Sequence, residues 1–188
     1  HAGYTDAMNP TTQAHLQNIH ALDKNIQGEA YHSLLEATNQ PVDWAYDTWD
    51  ELVCDLMSPD NRLRSIAAQL LCNLAKSDPK HRILKDFDAL LNVTRDEKFV
   101  TARHALQSLW KIGAVGPKHR QKLLAGLATR FNDCASEKNC TLIRYDIIVA
   151  HKSLHDAAPH ESIRTQALAL IATEPDLKYR KKYAGLWK

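Results

Sequence analysis

Three arginines recur at nearly constant intervals in this 188-residue chain: Arg64, Arg103 and Arg144, 39 and then 41 residues apart. Each follows an apolar residue (Leu63, Ala102, Ile143) inside a stretch with helical apolar spacing. The planar guanidinium fork matches carboxylate and phosphate geometry and makes two parallel hydrogen bonds to either. Such a row has two readings. It is a line of anion contacts offered to a partner, or it ties successive units of the chain to one another.

A second constellation lies in the turns between these stretches. Lys76, Lys80, His81, Arg82 and Lys85 crowd one turn and helix start, and Lys111, Lys118, His119, Arg120 and Lys122 do the same about one repeat later. Stacking of repeats would bring the two turns to one edge as a basic stripe, suited to acidic segments or to nucleic acid. Net charge supports the asymmetry. Residues 1–58 hold one Lys against nine acidic residues, whereas residues 59–130 hold fourteen Lys and Arg against six. That polarity speaks to partners and to steering, not to fold.

Two further groups carry possible chemistry. Asp43 to Glu51 packs Trp44, Tyr46 and Trp49 among four carboxylates, with one tryptophan expected in the core and Trp44 exposed near a helix start. His151 and His155 stand one helical turn apart near Asp146 and His160, a spacing that brings two ligands to one face. No HExxH accompanies them, so surface histidines are expected and no metal or cofactor is assigned. No Gly-rich phosphate loop, serine elbow or cysteine–histidine signature is present. No catalytic constellation emerges.

The elements that position these residues are helices. Pro10 opens the first, with Leu16, Ile19, Leu22 and Ile26 on one face and a turn expected over Asn25–Gly28. Ala30 to Ala37 follows and Pro41 stops it. A helix from Val42–Asp43 to Met57 takes Asp43 as its N-cap. Helices over residues 61–75, 83–91 and 99–112 come next. Gly113 and Gly116–Pro117 then punctuate the chain, glycine supplying positive φ and proline the next start. Four more helices reach the C-terminus, the last one basic. No segment alternates with period two, so the chain reads as all-α, nine or ten short helices in pairs. Residues 1–9 read as a flexible arm and 10–188 as one helical-repeat domain. The start, His1–Ala2–Gly3–Tyr4, has no Met and no basic-then-apolar signal pattern, and leaves open whether His1 is a native start.

No run is long and apolar enough to span a bilayer, so no membrane partner is expected. Cys54, Cys72, Cys134 and Cys140 form no CxxC pair. Cys54 and Cys72 are expected on apolar helical faces, which points to a reducing, cytoplasmic setting.

The turn Pro59–Asp60, the pair Leu63–Arg64 and the run Ala67–Ala68 resemble the second helix of a HEAT repeat. Ala102–Arg103, Ile143–Arg144 and Ile163–Arg164 look like weaker copies. Arg164 follows Arg144 by 20 residues, half a repeat, and so belongs to the first helix of a terminal pair. The resemblance implies a right-handed α-α superhelix of about four to five helix pairs whose second helices line a concave face. It also implies that an Asp before the second helix pairs with a neighbouring repeat's Arg, although Ser58 stands at the best-matching position here. Binding is implied, and no reaction. DNA-alkylation-repeat glycosylases, built from HEAT-like repeats, set Trp beside Asp as Trp44 to Glu51 does, but four carboxylates there would repel a phosphate backbone.

The expectation is a non-enzymatic scaffold for protein or peptide, with acidic segments steered by the basic middle. Nucleic acid is the alternative and a base-excision enzyme a distant third. Candidate contacts are Arg64, Arg103, Arg144, Lys80, Arg82, Lys85, Lys118, Arg120, Lys122 and Trp44. Oligomeric state stays open, a monomer being compatible.

Overall fold

A computed structural model of the chain describes residues 8–188, so the first seven residues of the expected N-terminal arm lie outside the described residues. Helices α1 (Pro10–Asn18) and α2 (Lys24–Ala37) form the first antiparallel pair, α3 (Ala45–Asp55) and α4 (Asn61–Leu74) the second. The third joins α5 (Arg82–Val93) to α6 (Phe99–Ser108) and its short continuation α7 (Trp110–Gly113). Helices α8 (Pro117–Asp133) and α9 (Cys140–Ala157) make the fourth, α10 (Glu161–Ala172) and α11 (Leu177–Ala184) the last. Single 3₁₀ turns follow α4, α8 and α11. No strand occurs among the described residues. Arg164 falls in α10, the first helix of the terminal pair.

The second helices stack in the order α2, α4, α6, α9, and the first helices lie against them. One apolar cluster runs through all five pairs, from Ile19 to Tyr183. Helix α4 is its axis. Asp60 caps it, its Oδ1 accepting the Arg62 amide at 2.9 Å. Every residue from Ser65 to Leu74 is buried, because α2, α3, α5, α6 and α7 all pack on it. Ala67 and Ala68 are small enough to admit neighbours from several sides, and they carry high helix propensity. Its buried polar side chains pair within the fold, Gln69 with Ser65 and Tyr31, and Asn73 with Thr38.

Three local expectations are corrected. The first helix ends at Asn18, and α2 starts at Lys24 and runs through Gly28, which leaves no turn over Asn25–Gly28. The cause is Asp23, whose Oδ1 accepts the Asn25 amide at 2.8 Å and the Ile26 amide at 3.1 Å. That cap outweighs a mid-helix glycine costing about 1 kcal/mol. Leu22 is consequently fully exposed in the connector, and Ile26 is largely exposed. Asp43 is not the cap of α3. That position belongs to Trp44, which makes no side-chain cap bond. Finally, no described glycine has positive φ, and Gly116 is extended. The one described residue in the left-handed region is His81, at φ 53°.

Two glycines inside helices make opposite predictions. A Cβ at Gly28 would meet nothing within 4 Å, whereas one at Gly126 would sit 2.8 Å from the Phe87 ring. Gly28→Ala should raise stability by about 0.5–1 kcal/mol in urea unfolding. Gly126→Ala should lower it by about 1–3 kcal/mol, because α8 approaches α5 across a rigid ring.

Candidate interaction edge

The arginine row is bound to the chain itself. Arg64 Nε and Nη2 donate to Asp96 at 2.6 and 2.9 Å, and Nη1 donates to the Ser58 carbonyl at 2.8 Å. Burial works to raise the Asp96 carboxyl, but the hydrogen bonds from Arg64 and the Lys98 amide outweigh it and hold Asp96 below the usual carboxylate range. Arg103 forks onto Asp146 at 2.9 and 3.0 Å. Arg144 donates to Glu174 at 2.9 Å and to the Phe131 carbonyl at 3.0 Å. Each pair joins a second helix to an acid in the next repeat. The first rung replaces Arg with Gln27, which donates to Asp60 at 2.9 Å. Asp60, the cap of α4, thus fills the ladder position, two residues past Ser58.

Arg103 bypasses the turn before α9 for a definite reason. The carboxylate available there, Glu137, is held by Arg130 at 2.5 and 2.7 Å. Arg130 is completely buried and donates as well to Thr94 Oγ1 and the Thr94 carbonyl. Sequence reading missed it, since it sits on a first helix outside the repeat motif.

The basic turns do meet. His81 from the turn before α5 and His119 from the first turns of α8 lie edge to face, ring centroids 4.8 Å apart. Around His81, Tyr46 organises the first turn. Its hydroxyl donates to Asp78 and accepts the Lys80 amide, and the Arg82 guanidinium stands 4.2 Å from its ring centroid. Asp78 also caps α5, its carboxylate accepting the Arg82 and Ile83 amides at 2.9 and 2.8 Å. These bonds hold the turn while His81 occupies a backbone region that favours glycine.

Beside this junction Asn73 gathers two lysines. Its backbone carbonyl accepts Lys76 Nζ at 2.9 Å and its side-chain oxygen accepts Lys111 Nζ at 2.7 Å. Lys76 also donates to the Thr38 carbonyl at 2.8 Å. Burial first, and then the Lys111 charge, push the Lys76 ammonium below its ordinary value. The pair opens on a cleft of about 470 Å³ walled by Asn39, Trp110, Ala114 and Val115. Across Val115 a second cleft of about 440 Å³ continues between His81, Pro117, Lys118 and His119. Among the described residues, Lys76, Lys80, Lys85, Lys111, Lys118 and Arg120 form no ion pair. Arg82 and Lys122 only approach Asp50 and Asp88, at 3.9 Å each. A third cleft of about 270 Å³ runs along α2, α4 and α6 between Tyr31, Arg62, Gln69 and His104.

The remaining candidates separate. Trp44 is half-buried against the core, and Trp49 is wholly buried with Nε1 donating to Asp86 at 2.9 Å. Asp50 faces Arg82 and Glu51 faces His20. His151 is a correction: it is fully buried, not a surface residue, because it shares the inward face of α9 with Ile147, Ile148 and Leu154, and Gln166 of α10 packs over its ring. Its neighbour Asp146 is taken by Arg103, and His160 caps α10. Cys54 is exposed, lying opposite the Ala45–Thr48–Trp49–Leu52 face, while Cys72 is buried as expected. No described helix is long and apolar enough to cross a membrane.

No family model and no curated protein matches the sequence. Solved structures do. One engineered protein superimposes with a TM-score of 0.52 at 20% identity, over 94% of this chain and 77% of its own. A second gives 0.51 at 17% identity, over 96% and 88%. A designed armadillo repeat protein in complex with the peptide (KR)4 gives 0.48 at 17%, over 95% and 88%. Stacked helix pairs, an inter-repeat ladder and the first two of these likenesses agree: the chain has the fold of an all-α, HEAT/armadillo-like repeat solenoid.

Proposed function

We propose that the chain is a non-enzymatic recognition scaffold whose basic edge seats acidic side chains of a protein or peptide segment. The observation that carries this reading is the Lys76–Asn73–Lys111 arrangement. Two ammonium groups are held in fixed positions by carbonyl oxygens, without a carboxylate partner, at the mouth of a cleft with an aromatic wall. Fixed donors reduce the ordering cost of binding, since long lysine side chains otherwise lose rotamer freedom. Trp110 and Val115 supply apolar surface beside the charges, which favours Asp or Glu next to an apolar residue. Lys80 and Lys118, both exposed, extend the positive field along the same edge and steer the approach. Arg64, Arg103 and Arg144 serve as ties between repeats, and their forks are already filled.

The test is a fluorescence-anisotropy titration of a labelled Glu-rich peptide containing interspersed leucines, at low and moderate salt, with single-stranded DNA and RNA of equal length alongside. The peptide should bind, and Lys80→Glu combined with Lys118→Glu should weaken it on the order of tenfold. Neither residue carries a side-chain hydrogen bond in the fold, so the double variant should keep the native circular dichroism. Absence of peptide binding at low salt removes the reading. Tighter binding of nucleic acid than of peptide, with a steep salt slope, would reassign the edge to a polyanion.

A further inference from the structure

At the other end of the chain, His20, Glu51 and Asp55 bring three potential metal ligands together, with all three donor atoms within 4.8 Å of one another. Glu51 and Asp55 are one helical turn apart on α3 and share a face. His20 comes from the α1–α2 connector and directs Nε2 at both, 2.8 Å from Asp55 Oδ2 and 3.4 Å from Glu51 Oε1. Its other ring nitrogen is engaged, Nδ1 standing 3.2 Å from the Leu16 carbonyl. A carbonyl can only accept, so with its proton on Nδ1 the neutral ring presents the Nε2 lone pair to two carboxylates. Three electron-rich atoms so close call for a positive centre among them: a proton on Nε2 or on the Asp55 carboxyl, which burial pushes up, or a metal ion.

The surroundings suit the metal. A histidine that ligates through one nitrogen while the other donates to a backbone carbonyl is the usual outer-shell arrangement at metal sites. A zinc-class ion bound tetrahedrally at about 2.0–2.1 Å sets its ligand atoms about 3.3 Å apart. The His20–Glu51 separation already meets that spacing, and the His20–Asp55 contact reaches it by opening about half an ångström. The Asp55 side chain is 12% exposed and that of Glu51 is 64% exposed, so the pair is fixed on one side and open to water on the other. One imidazole and two carboxylates are a borderline-to-hard donor set, compatible with zinc(II) and unlike the all-thiolate sets of softer ions. We infer that His20, Glu51 and Asp55 form a divalent-cation site of the zinc class, which clasps the α1–α2 connector to α3.

The experiment titrates zinc chloride into the full chain, followed by calorimetry and thermal unfolding. One equivalent should bind at this site, and Tm should climb with free zinc, as it does for any ligand of the native state alone. Glu51→Gln should weaken binding on the order of tenfold or more, and its exposed position keeps the fold out of question. His20→Gln should weaken it at least as much. Cys134→Ser with Cys140→Ser should leave this site unchanged, which matters because those thiols lie 2.8 Å apart and offer a rival site. Cobalt(II) in the same chain should show visible ligand-field bands without intense thiolate charge transfer. Binding that survives Glu51→Gln and His20→Gln, or vanishes with the cysteines, overturns the inference. So does an unchanged Tm at millimolar zinc, which would leave the three residues as a proton-bridged histidine–carboxylate pair and nothing more.

Discussion

Glu174→Ala is expected to cost about 3–5 kcal/mol, the largest effect of any single truncation in the ladder. Glu174 is 3% exposed and accepts Arg144 Nη1 at 2.9 Å, while Arg144 keeps only 11% of its side chain exposed. Removing the carboxylate leaves a buried guanidinium with the Phe131 carbonyl and ring for company. The penalty comes from that stranded charge, and not from a large net value of the pair. Replacing both partners, Arg144→Met with Glu174→Leu, should therefore recover most of the loss. The exposed pair Arg95–Asp133, at 38% and 50%, serves as the internal comparison, since its truncation should cost under about 1 kcal/mol. Urea unfolding followed by circular dichroism checks the totals. Hydrogen exchange should place the damage in α9 to α11, because each repeat of a solenoid leans mainly on its neighbours. A Glu174→Ala loss no larger than that of Asp133→Ala would mean the pair is solvated in solution.

How much of this was legible beforehand depends on the range of the information. The helical register was written locally: Pro59–Asp60, Leu63–Arg64 and Ala67–Ala68 specify a capped helix fit for burial, and spacing from Arg64 gives the repeat. A ladder was implied only by the repeat resemblance, with Ser58 where the acid was expected and the three arginines offered as partner contacts, and its actual partners were not legible. Arg103 reaches Asp146 and not Glu137 because Arg130 has already claimed Glu137, a competition among residues of three helices. The basic turns were legible as clusters, and their convergence needed the His81–His119 contact. Lys76 and Lys111 gained fixed positions from Asn73, a buried polar residue that periodicity marks only as an interruption. The α1–α2 boundary failed for the opposite reason. An apolar spacing that ran on to Ile26 was coincidental, and the Asp23 cap decided the matter.

His151 carries the strongest expected pH dependence. Its ring is fully buried, Nδ1 lies 2.8 Å from the Ile147 carbonyl, and Nε2 lies 2.9 Å from Gln166 Nε2. Gln166 Nε2 also donates to the Leu124 carbonyl at 2.8 Å, so its nitrogen is the atom that faces the ring. Nδ1 then donates and Nε2 accepts, a pattern that only the neutral imidazole satisfies. A second proton on Nε2 would point at an amide donor inside an apolar core. Burial pushes the His151 pKa down to about 4, against an ordinary value of 6.5. Below pH 6.5 the unfolded chain therefore binds a proton that the folded chain refuses. The stabilisation is complete above about pH 6.5 and is lost as pH falls towards 4, a total on the order of 3 kcal/mol. Burial lowers His104 and His119 in the same direction, so the wild-type slope contains them too. His151→Gln separates the contributions, because glutamine keeps a polar group near Gln166 without titrating. The variant should be less stable at pH 7, yet its stability should fall less between pH 6.5 and 4, and the two curves should converge on the acid side. Parallel curves over that window would place the proton-linked loss elsewhere in the fold.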